Sequence, residues 1–202
     1  MKEKFEEIFM SHYFIENSNL LTNERELQLE IFGHSFRFLT NNGLFSCDKI
    51  DEASLTLLKN MPPIEGALLD LGCGYGVLGI TLAKVNKVKL TQSDINSIAL
   101  SYTIKNAKLN NVETHAIHSD AFTAIKDKFD VITLNPPIHA GKTVMYRMYE
   151  EAAEHLTPSG SLFIVIQKKH GAESTIKKLN ELFSKCNVLH KKKGVFILQL
   201  SL

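Results

Sequence analysis

Residues 68–76 of the chain read LLDLGCGYG, and this stretch decides the fold class. The apolar run at 67–71 predicts a short buried β-strand, and the pattern at 77–84 predicts a helix directly after it. Between the two lie glycines at alternate positions, which let the backbone turn tightly and approach a ligand closely. Open α/β sheets bind ligands at the carboxyl ends of their strands, so we expect a ligand at this loop.

Strand and helix patterns alternate through the rest of the chain. The predicted strands are 88–93, 113–118, 129–134, 161–167, a segment at Val188 and 195–200, and the predicted helices are 95–109, 143–156 and 172–183. Only a few residues around Lys193-Gly194 join the last two strands, whereas a parallel crossover needs about a dozen, so this pair must be antiparallel. We predict an α/β, Rossmann-like fold: a seven-stranded, mostly parallel sheet with an antiparallel last strand and helices on both faces.

A boundary is predicted at Pro62-Pro63, because proline pairs end helices and mark connections. Before it, apolar residues alternate at 27–31 and again at 36–38, on either side of a turn at Gly33-His34, which predicts a hairpin. The pattern at 51–60 predicts a helix. The chain is therefore expected to divide into a hairpin and helix extension, residues 1–61, and a main domain, residues 62–202.

The glycine spacing alone leaves two nucleotide cofactors open. Gly74, Gly76 and Gly79 fit the GxGxxG pattern of dinucleotide sites. Asp70, at the end of the preceding strand, favours a cationic sulfonium cofactor, S-adenosylmethionine, because a carboxylate attracts a cation and gives a pyrophosphate no stabilisation. A small packed hydrophobe is the other interpretation of the cysteine in the loop. The expected cofactor contacts from this segment are Asp70, Gly72, Cys73, Gly74 and Gly76.

Two further carboxylates follow predicted strands. Asp94 can accept hydrogen bonds from the ribose hydroxyls of an adenosine, although aspartate at a helix start is also a favoured N-cap. Asp120, in the segment SDAF, can accept from the adenine exocyclic amine while the Ala121 backbone N–H faces a ring nitrogen; a turn aspartate is the alternative. We expect Asp94 with Ile95, and Asp120 with Ala121, to bind the cofactor's nucleoside.

Asn135-Pro136-Pro137 follows the predicted strand at 129–134. The prolines remove two N–H donors and fix the local backbone path, so the Asn135 side-chain oxygen and the Pro136 carbonyl are aimed outward as paired acceptors. An exocyclic NH2 held between them keeps its lone pair directed at an electrophile, and orientation of this kind lowers a barrier. Asn135, Pro136 and Pro137 are the predicted catalytic residues, and Asn135 is also an expected cofactor contact; a rigid turn is the alternative.

Taken together, LLDLGCGYG, Asp94, SDAF and NPP resemble class I methyltransferases that act on planar amino groups. The chain is more closely similar to ribosomal RNA small-subunit methyltransferase C, which methylates the N2 amine of a guanine. The resemblance covers nearly the whole chain, including residues 12–14 (HYF), 37–40 (RFLT), 43–46 (GLFS), 49–51 (KID), 136–142 (PPIHAGK) and 165–172 (VIQKKHGA). It departs at Ile138, where the family usually carries an aromatic residue, and it extends only to the catalytic half of longer members, which also carry a degenerate second methyltransferase domain.

The resemblance implies that residues 43–51 approach the cofactor, with Phe45 and Lys49 as candidate contacts; a packed aromatic and a surface lysine are the alternatives. It implies that Ile138 and His139 contact the substrate base. The expected contacts to the RNA phosphate backbone are Lys142, Arg147, Lys168 and Lys169.

Composition sets the remaining bounds. The chain has 202 residues, and 44% of them are hydrophobic. It contains no apolar run near the ~20 residues of a membrane span and no apolar leader at its start. We therefore expect a cytoplasmic protein without a membrane partner. Its three cysteines are far apart, which predicts neither disulfides nor a metal site. Residues 138–202 carry ten basic and five acidic side chains, which favours a polyanionic partner, although solvated lysine faces explain the pattern as well.

We therefore predict a methyltransferase that uses S-adenosylmethionine, without a metal, to methylate the N2 amine of a guanine in small-subunit ribosomal RNA. The partner is ribosomal RNA or the small subunit, the base is flipped out of its stem, and the chain acts as a monomer or homodimer. Three alternatives stay open: methylation of a protein glutamine amide, which also uses an NPP segment; a non-catalytic RNA-binding module; and a nicotinamide-dependent enzyme.

Overall fold

The structure is a computed structural model that describes residues 23–202. Residues 12–14, part of the family resemblance, lie outside the described residues. The strands and helices, in chain order, are β1 Arg25–Ile31, β2 His34–Thr40, α1 Glu52–Asn60, β3 Glu65–Leu71, α2 Val77–Val85, β4 Lys87–Asp94, α3 Ser97–Leu109, β5 His115–His118, β6 Phe129–Leu134, α4 Lys142–Glu154, β7 Leu156–Gln167, α5 Ala172–Leu182, β8 Lys185–Lys192 and β9 Val195–Ser201.

Seven strands form one sheet in the order β5-β4-β3-β6-β7-β9-β8, and β1 and β2 form a separate hairpin. The pairs β3–β4, β3–β6, β4–β5 and β6–β7 are parallel, whereas β9 inserts between β7 and β8 and is antiparallel to both. The predicted fold, including the hairpin, is confirmed. Strand order reverses between β3 and β6, and in open α/β sheets the crevice at such a reversal is where ligands bind.

Several predicted bounds differ from the structure, and three of the differences have a local physical reason. The hairpin turn is Phe32-Gly33, one residue earlier than expected, because both residues adopt the positive φ (55° and 74°) that a two-residue type I′ turn requires. Helix α3 begins at Ser97, since the Asn96 side chain accepts from the N–H groups of its first turn. Strand β7 begins at Leu156, five residues earlier than expected, and continues through a bulge opposite β6. The bulge contains Pro158, and a proline is tolerated there because residues in a bulge need not pair with the neighbouring strand.

The hairpin packs on α3 through β2, and α1 packs against β7 and β9 of the main sheet. Buried residues of both, such as Phe38 and Leu57, belong to the same hydrophobic cluster as Leu68 of β3. The division of the chain at residue 62 stays a prediction.

Among residues 23–202, no helix combines the length and the apolar composition that crossing a membrane requires.

Candidate active site

The loop after β3 is open on one side. Gly72 and Gly74 have φ of 68° and 58°, and a Cβ built on either would meet nothing within 4 Å. Gly76 closes the loop tightly, because a Cβ there would lie 2.7 Å from Ile80 Cδ1. The backbone at 72–74 is therefore free to approach a ligand, and side chains at these positions would fill the space that the ligand needs.

Asp70 lies beneath this loop and faces the interior. Its side chain is 1% exposed, and its carboxylate accepts from the Gly79 N–H (2.9 Å), the Thr133 hydroxyl (3.0 Å) and the Gln92 amide (3.4 Å). Burial raises its pKa to about 6, against the ordinary 3.8. Its direct contact with the cofactor stays a prediction: protein groups donate to both oxygens, and the buried carboxylate supports the loop from inside.

Cys73 also points inward, and helix α3 supports the loop at this point. The Cys73 thiol lies 3.5 Å from the Thr103 hydroxyl, which donates to the Gly74 carbonyl at 2.7 Å, and burial raises the thiol pKa. The Cys73 N–H donates to the Ser93 carbonyl and its own carbonyl accepts from the Gly76 N–H, both at 2.9 Å, so its side chain acts as a small packed group and its contact with the cofactor stays a prediction.

Asn106, which the sequence interpretation missed, joins the loop to the hairpin. Its buried amide donates to the carbonyls of Tyr75 (2.8 Å) and Leu39 (2.9 Å) and accepts from the Leu39 N–H (2.7 Å). Together with Thr103 and Asn110 it forms a polar stripe at helical spacing on an otherwise apolar face, and that stripe was the available signal.

Asp94 lies at the carboxyl end of β4, beside the open loop. Its two oxygens accept from the backbone N–H groups of Gly74 and Asn96, both at 2.8 Å, and burial raises its pKa. It is not the helix N-cap that the sequence also allowed, because Asn96 occupies that position. The neighbouring Ile95 side chain is exposed. Asp94 is only partly buried, so this corner combines a carboxylate with an apolar surface.

Asp120 is paired with Arg147. One guanidinium nitrogen lies 2.5 Å from the Asp120 carboxylate, and another lies 3.9 Å from Glu151. Ala121 adopts a positive φ of 48°, and the next ring, Phe122, is buried against His155. Arg147 was expected on RNA phosphates; the structure instead places it between two carboxylates, which neutralise its charge locally and link α4 to the segment after β5.

Asn135 follows β6 at the point where the strand order reverses. Its amide nitrogen donates to the Asp51 carboxylate (2.9 Å) and the Ser54 hydroxyl (3.0 Å). Within residues 23–202, no donor hydrogen-bonds the Asn135 Oδ1 or the Pro136 carbonyl. Pro137 precedes a short 3₁₀ turn, Ile138–Ala140, in which Ile138 is half-buried and His139 is exposed.

The loop between β2 and α1 lies against the glycine loop. The Tyr75 hydroxyl donates to the Ser46 carbonyl at 3.2 Å, and the Ser46 hydroxyl donates to the Lys49 carbonyl at 2.6 Å. Phe45 is 67% exposed and Lys49 is exposed, so the alternative of a packed aromatic does not hold for Phe45. The structure thus brings this loop, the glycine loop and, through α1, Asn135 into one neighbourhood.

A basic cleft lies at the carboxyl end of β7, next to the strand that carries Asn135. The cleft is open to solvent and has a volume of about 620 Å³. Its lining residues are Gln167, Lys168, Lys169, Lys193 and Gly194. Lys142 reaches the same side, since its Nζ would lie 4.0 Å from a Cβ built on Gly171. Burial, together with the positive fields of Lys169 and His139, lowers the pKa of His170. Of the four predicted phosphate contacts, Lys168 and Lys169 therefore line this cleft, Lys142 lies near Gly171, and Arg147 is paired with Asp120.

Comparison with known proteins places this geometry in a family. The model of the methyltransferase small domain matches residues 35–199. The chain belongs to the methyltransferase small domain family. It is 39% identical over 194 residues to the Bacillus subtilis protein named "Uncharacterized protein YbxB", covering 93% of this chain and 96% of that one.

Two further similar proteins carry descriptive names. Ribosomal RNA small subunit methyltransferase C of Aliivibrio fischeri is 33% identical over 172 residues, covering 78% of this chain and 51% of its own length. The solved structure of the T. thermophilus 16S rRNA N2 G1207 methyltransferase, in complex with AdoMet and guanosine, superposes with a TM-score of 0.79 at 29% identity, covering 88% of this chain and 50% of the other. The chain spans about half the length of these two relatives. The predicted resemblance and the expected S-adenosylmethionine cofactor agree with these findings.

Proposed function

We propose that this methyltransferase small domain transfers a methyl group from S-adenosylmethionine to the N2 amine of a guanine in small-subunit ribosomal RNA. The observation that carries the proposal is the state of Asn135: its nitrogen is tied to protein acceptors, while its oxygen and the Pro136 carbonyl have no donor among residues 23–202. Two acceptors without partners at the strand-order reversal match the two hydrogens of a planar NH2 group.

The residues around the glycine loop fit the cofactor. Gly72 and Gly74 leave open space, Asp94 and Ile95 combine a carboxylate with an apolar surface, and Asp120 lies at the carboxyl side of β5. Bound S-adenosylmethionine supplies a methyl group on a positively charged sulfur, so the N–C bond forms as the C–S bond breaks. Phe45 and Lys49 are proposed to line the same site from the loop before α1.

The glycine at position 79 has a packing explanation that holds for either cofactor. A Cβ there would lie 2.8 Å from Gln92 Nε2, 2.9 Å from Leu90 Cδ1 and 3.0 Å from Asp70 Cβ. Close packing of α2 on the sheet therefore requires glycine at this position whatever the ligand is, and the GxGxxG spacing no longer needs a pyrophosphate to explain it.

The NPP segment orients the amine. Asn135 Oδ1 and the Pro136 carbonyl each accept one N–H of the NH2 group, which directs the nitrogen lone pair away from both acceptors. Such positioning can contribute up to about 7–11 kcal/mol to lowering a barrier. The proton that the amine loses after transfer goes to water, and Asn135 needs no basicity for its role.

Ribosomal RNA is supported as the substrate by charge and by the named relatives. The basic cleft presents Lys168, Lys169 and Lys193 beside the NPP segment, where they can hold phosphates without reading sequence. Ile138 offers the base an apolar contact in place of the family's usual aromatic residue, and the exposed Phe45 ring is available for stacking. A paired guanine must flip out of its stem to reach the acceptors.

The test is transfer of tritiated methyl from S-adenosylmethionine to three acceptors: small-subunit ribosomal RNA transcribed in vitro, unmodified small subunits, and protein release factors. We expect label in RNA, free or assembled, and an Asn135→Ala variant that loses transfer. Label in protein alone would favour the glutamine alternative. Tight calorimetric binding of NAD without binding of S-adenosylmethionine would overturn the proposal, and cofactor binding without any transfer would favour a non-catalytic module.

A further inference from the structure

The first turn of α1 controls the orientation of the Asn135 amide. The Asp51 carboxylate caps this helix by accepting from the Ser54 N–H at 2.8 Å, and the same oxygen accepts from Asn135 Nδ2 at 2.9 Å. The Ser54 hydroxyl lies 3.0 Å from the same nitrogen. Both hydrogens of the amide nitrogen are thus engaged by residues more than 80 positions earlier in the chain.

These contacts decide which end of the amide faces the substrate. An asparagine side chain can place either its donor or its acceptor end in a given direction, and hydrogen-bond partners determine the choice. A carboxylate accepts only, so Asp51 excludes the flipped arrangement, in which two oxygens would face each other. With Nδ2 held, Oδ1 is the end available to an incoming NH2 group.

We propose that Asp51 and Ser54 are positioning residues that hold Asn135 with its acceptor toward the target amine; this rests on the proposed function. Asp51 also contributes charge. A charge-assisted hydrogen bond polarises the amide and increases the negative charge on Oδ1. The target nitrogen becomes positive as the N–C bond forms, so this polarisation favours the transition state over the ground state.

The inference also gives the N-terminal extension a role in catalysis. Ser54 is buried, and α1 packs through Leu57 and Leu58 into the hydrophobic cluster that contains β3. The helix start is therefore fixed relative to the sheet, and its cap is fixed relative to Asn135. A flexible attachment would leave the amide free to rotate between its two orientations.

The test uses steady-state methyl transfer to transcribed small-subunit ribosomal RNA. Asp51→Ser keeps a good helix cap but replaces the carboxylate by one shorter hydroxyl, so we expect kcat to fall about 100-fold, the loss typical of a small misplacement. The unfolding free energy and the Kd for S-adenosylmethionine should stay near wild type. Ser54→Ala should lose less, since Asp51 still accepts from Nδ2. The matched control is Glu52→Gln, an exposed carboxylate in the same turn, which should keep kcat within about twofold.

A structural role for Asp51 predicts a different pattern: Asp51→Ser would lower stability and cofactor affinity together with kcat. That parallel loss of unfolding free energy, cofactor affinity and transfer would overturn the proposal.

An NMR readout does not depend on activity. The Asn135 side-chain amide protons, assigned through their loss in Asn135→Ala, should exchange slowly in the wild type and rapidly in Asp51→Ser. Rapid exchange in the wild type would overturn the inference even if methyl transfer is found. Protected protons without any methyl transfer would instead count against the proposed function and leave the orientation intact.

Discussion

Replacing Asn106 by alanine should loosen the hairpin and the glycine loop at once. The Asn106 side chain is fully buried and makes three hydrogen bonds, two to Leu39 of β2 and one to the carbonyl of Tyr75. Each such bond contributes about 1 kcal/mol net, so the variant should lose ~3 kcal/mol of unfolding free energy. For a marginally stable domain this is a large share of the total.

The assay is equilibrium unfolding in urea, monitored by circular dichroism, for the wild type, Asn106→Ala and a control, Asn187→Ala. Asn187 is exposed on β8, so its replacement should change the unfolding free energy by no more than about 0.5 kcal/mol. Calorimetry with S-adenosylmethionine provides a second readout, because the loss of the Tyr75 contact frees the end of the loop that is expected to bind the cofactor.

The reasoning would be refuted by an Asn106→Ala variant that loses less than about 1 kcal/mol and binds S-adenosylmethionine as tightly as the wild type. That result would mean that the hairpin and the loop are held by apolar packing, with the polar stripe on α3 contributing little. A loss of stability with unchanged affinity would place the effect on the hairpin alone.

Three further outcomes are expected from other parts of the molecule. Burial raises the Asp70 pKa from 3.8 to about 6, so between these values the folded chain keeps a proton that the unfolded chain releases, and this group should lower the unfolding free energy by about 2 kcal/mol as pH rises from 4 to 7. Urea titrations that give a constant difference between wild type and Asp70→Asn over this pH range would contradict this. Gly79→Ala crowds Gln92 and Leu90, so the variant should lose about 1–3 kcal/mol of unfolding free energy. Thermal unfolding measures this loss, and an unchanged Tm would contradict it. The double variant Lys168→Ala, Lys169→Ala should bind RNA with a smaller salt dependence, because the slope of log K against log salt concentration should fall by roughly 1 to 2 while cofactor affinity stays unchanged. An unaltered slope would show that the basic cleft does not contact the RNA.

The parts of the fold that follow from local pattern were predictable. The strand predicted at 129–134 matches β6 Phe129–Leu134, and the short Lys193-Gly194 connection dictated the antiparallel pair at the end of the chain. Apolar periodicity and connection length act over a few residues, so one sequence suffices to read them. The start of β7 was placed five residues late because a proline and a glycine ordinarily end an element, and only the neighbouring strand shows that they lie in a bulge.

The candidate site was predictable in its positions but not in its contacts. Residue types after each strand identified the NPP segment, the glycine loop and Asp94, since carboxyl ends of parallel strands meet at one edge. The direction in which Asp70 points depends on donors from α2, β4 and β6, and the partner of Arg147 comes from another loop. The link between Asp51 and Asn135 joins residues 84 positions apart. Tertiary packing creates such pairs, and no local pattern encodes them.

The most direct test of the central claim is mass-spectrometric nucleoside analysis of small-subunit ribosomal RNA after incubation with this protein and S-adenosylmethionine carrying a deuterated methyl group. The account predicts deuterated N2-methylguanosine with wild-type protein and none with Asn135→Ala. Deuterium on another position of guanine, on another base or on ribose, or equal labelling by the Asn135→Ala variant, would contradict the assignment of Asn135 and Pro136 as the acceptors of an exocyclic guanine amine.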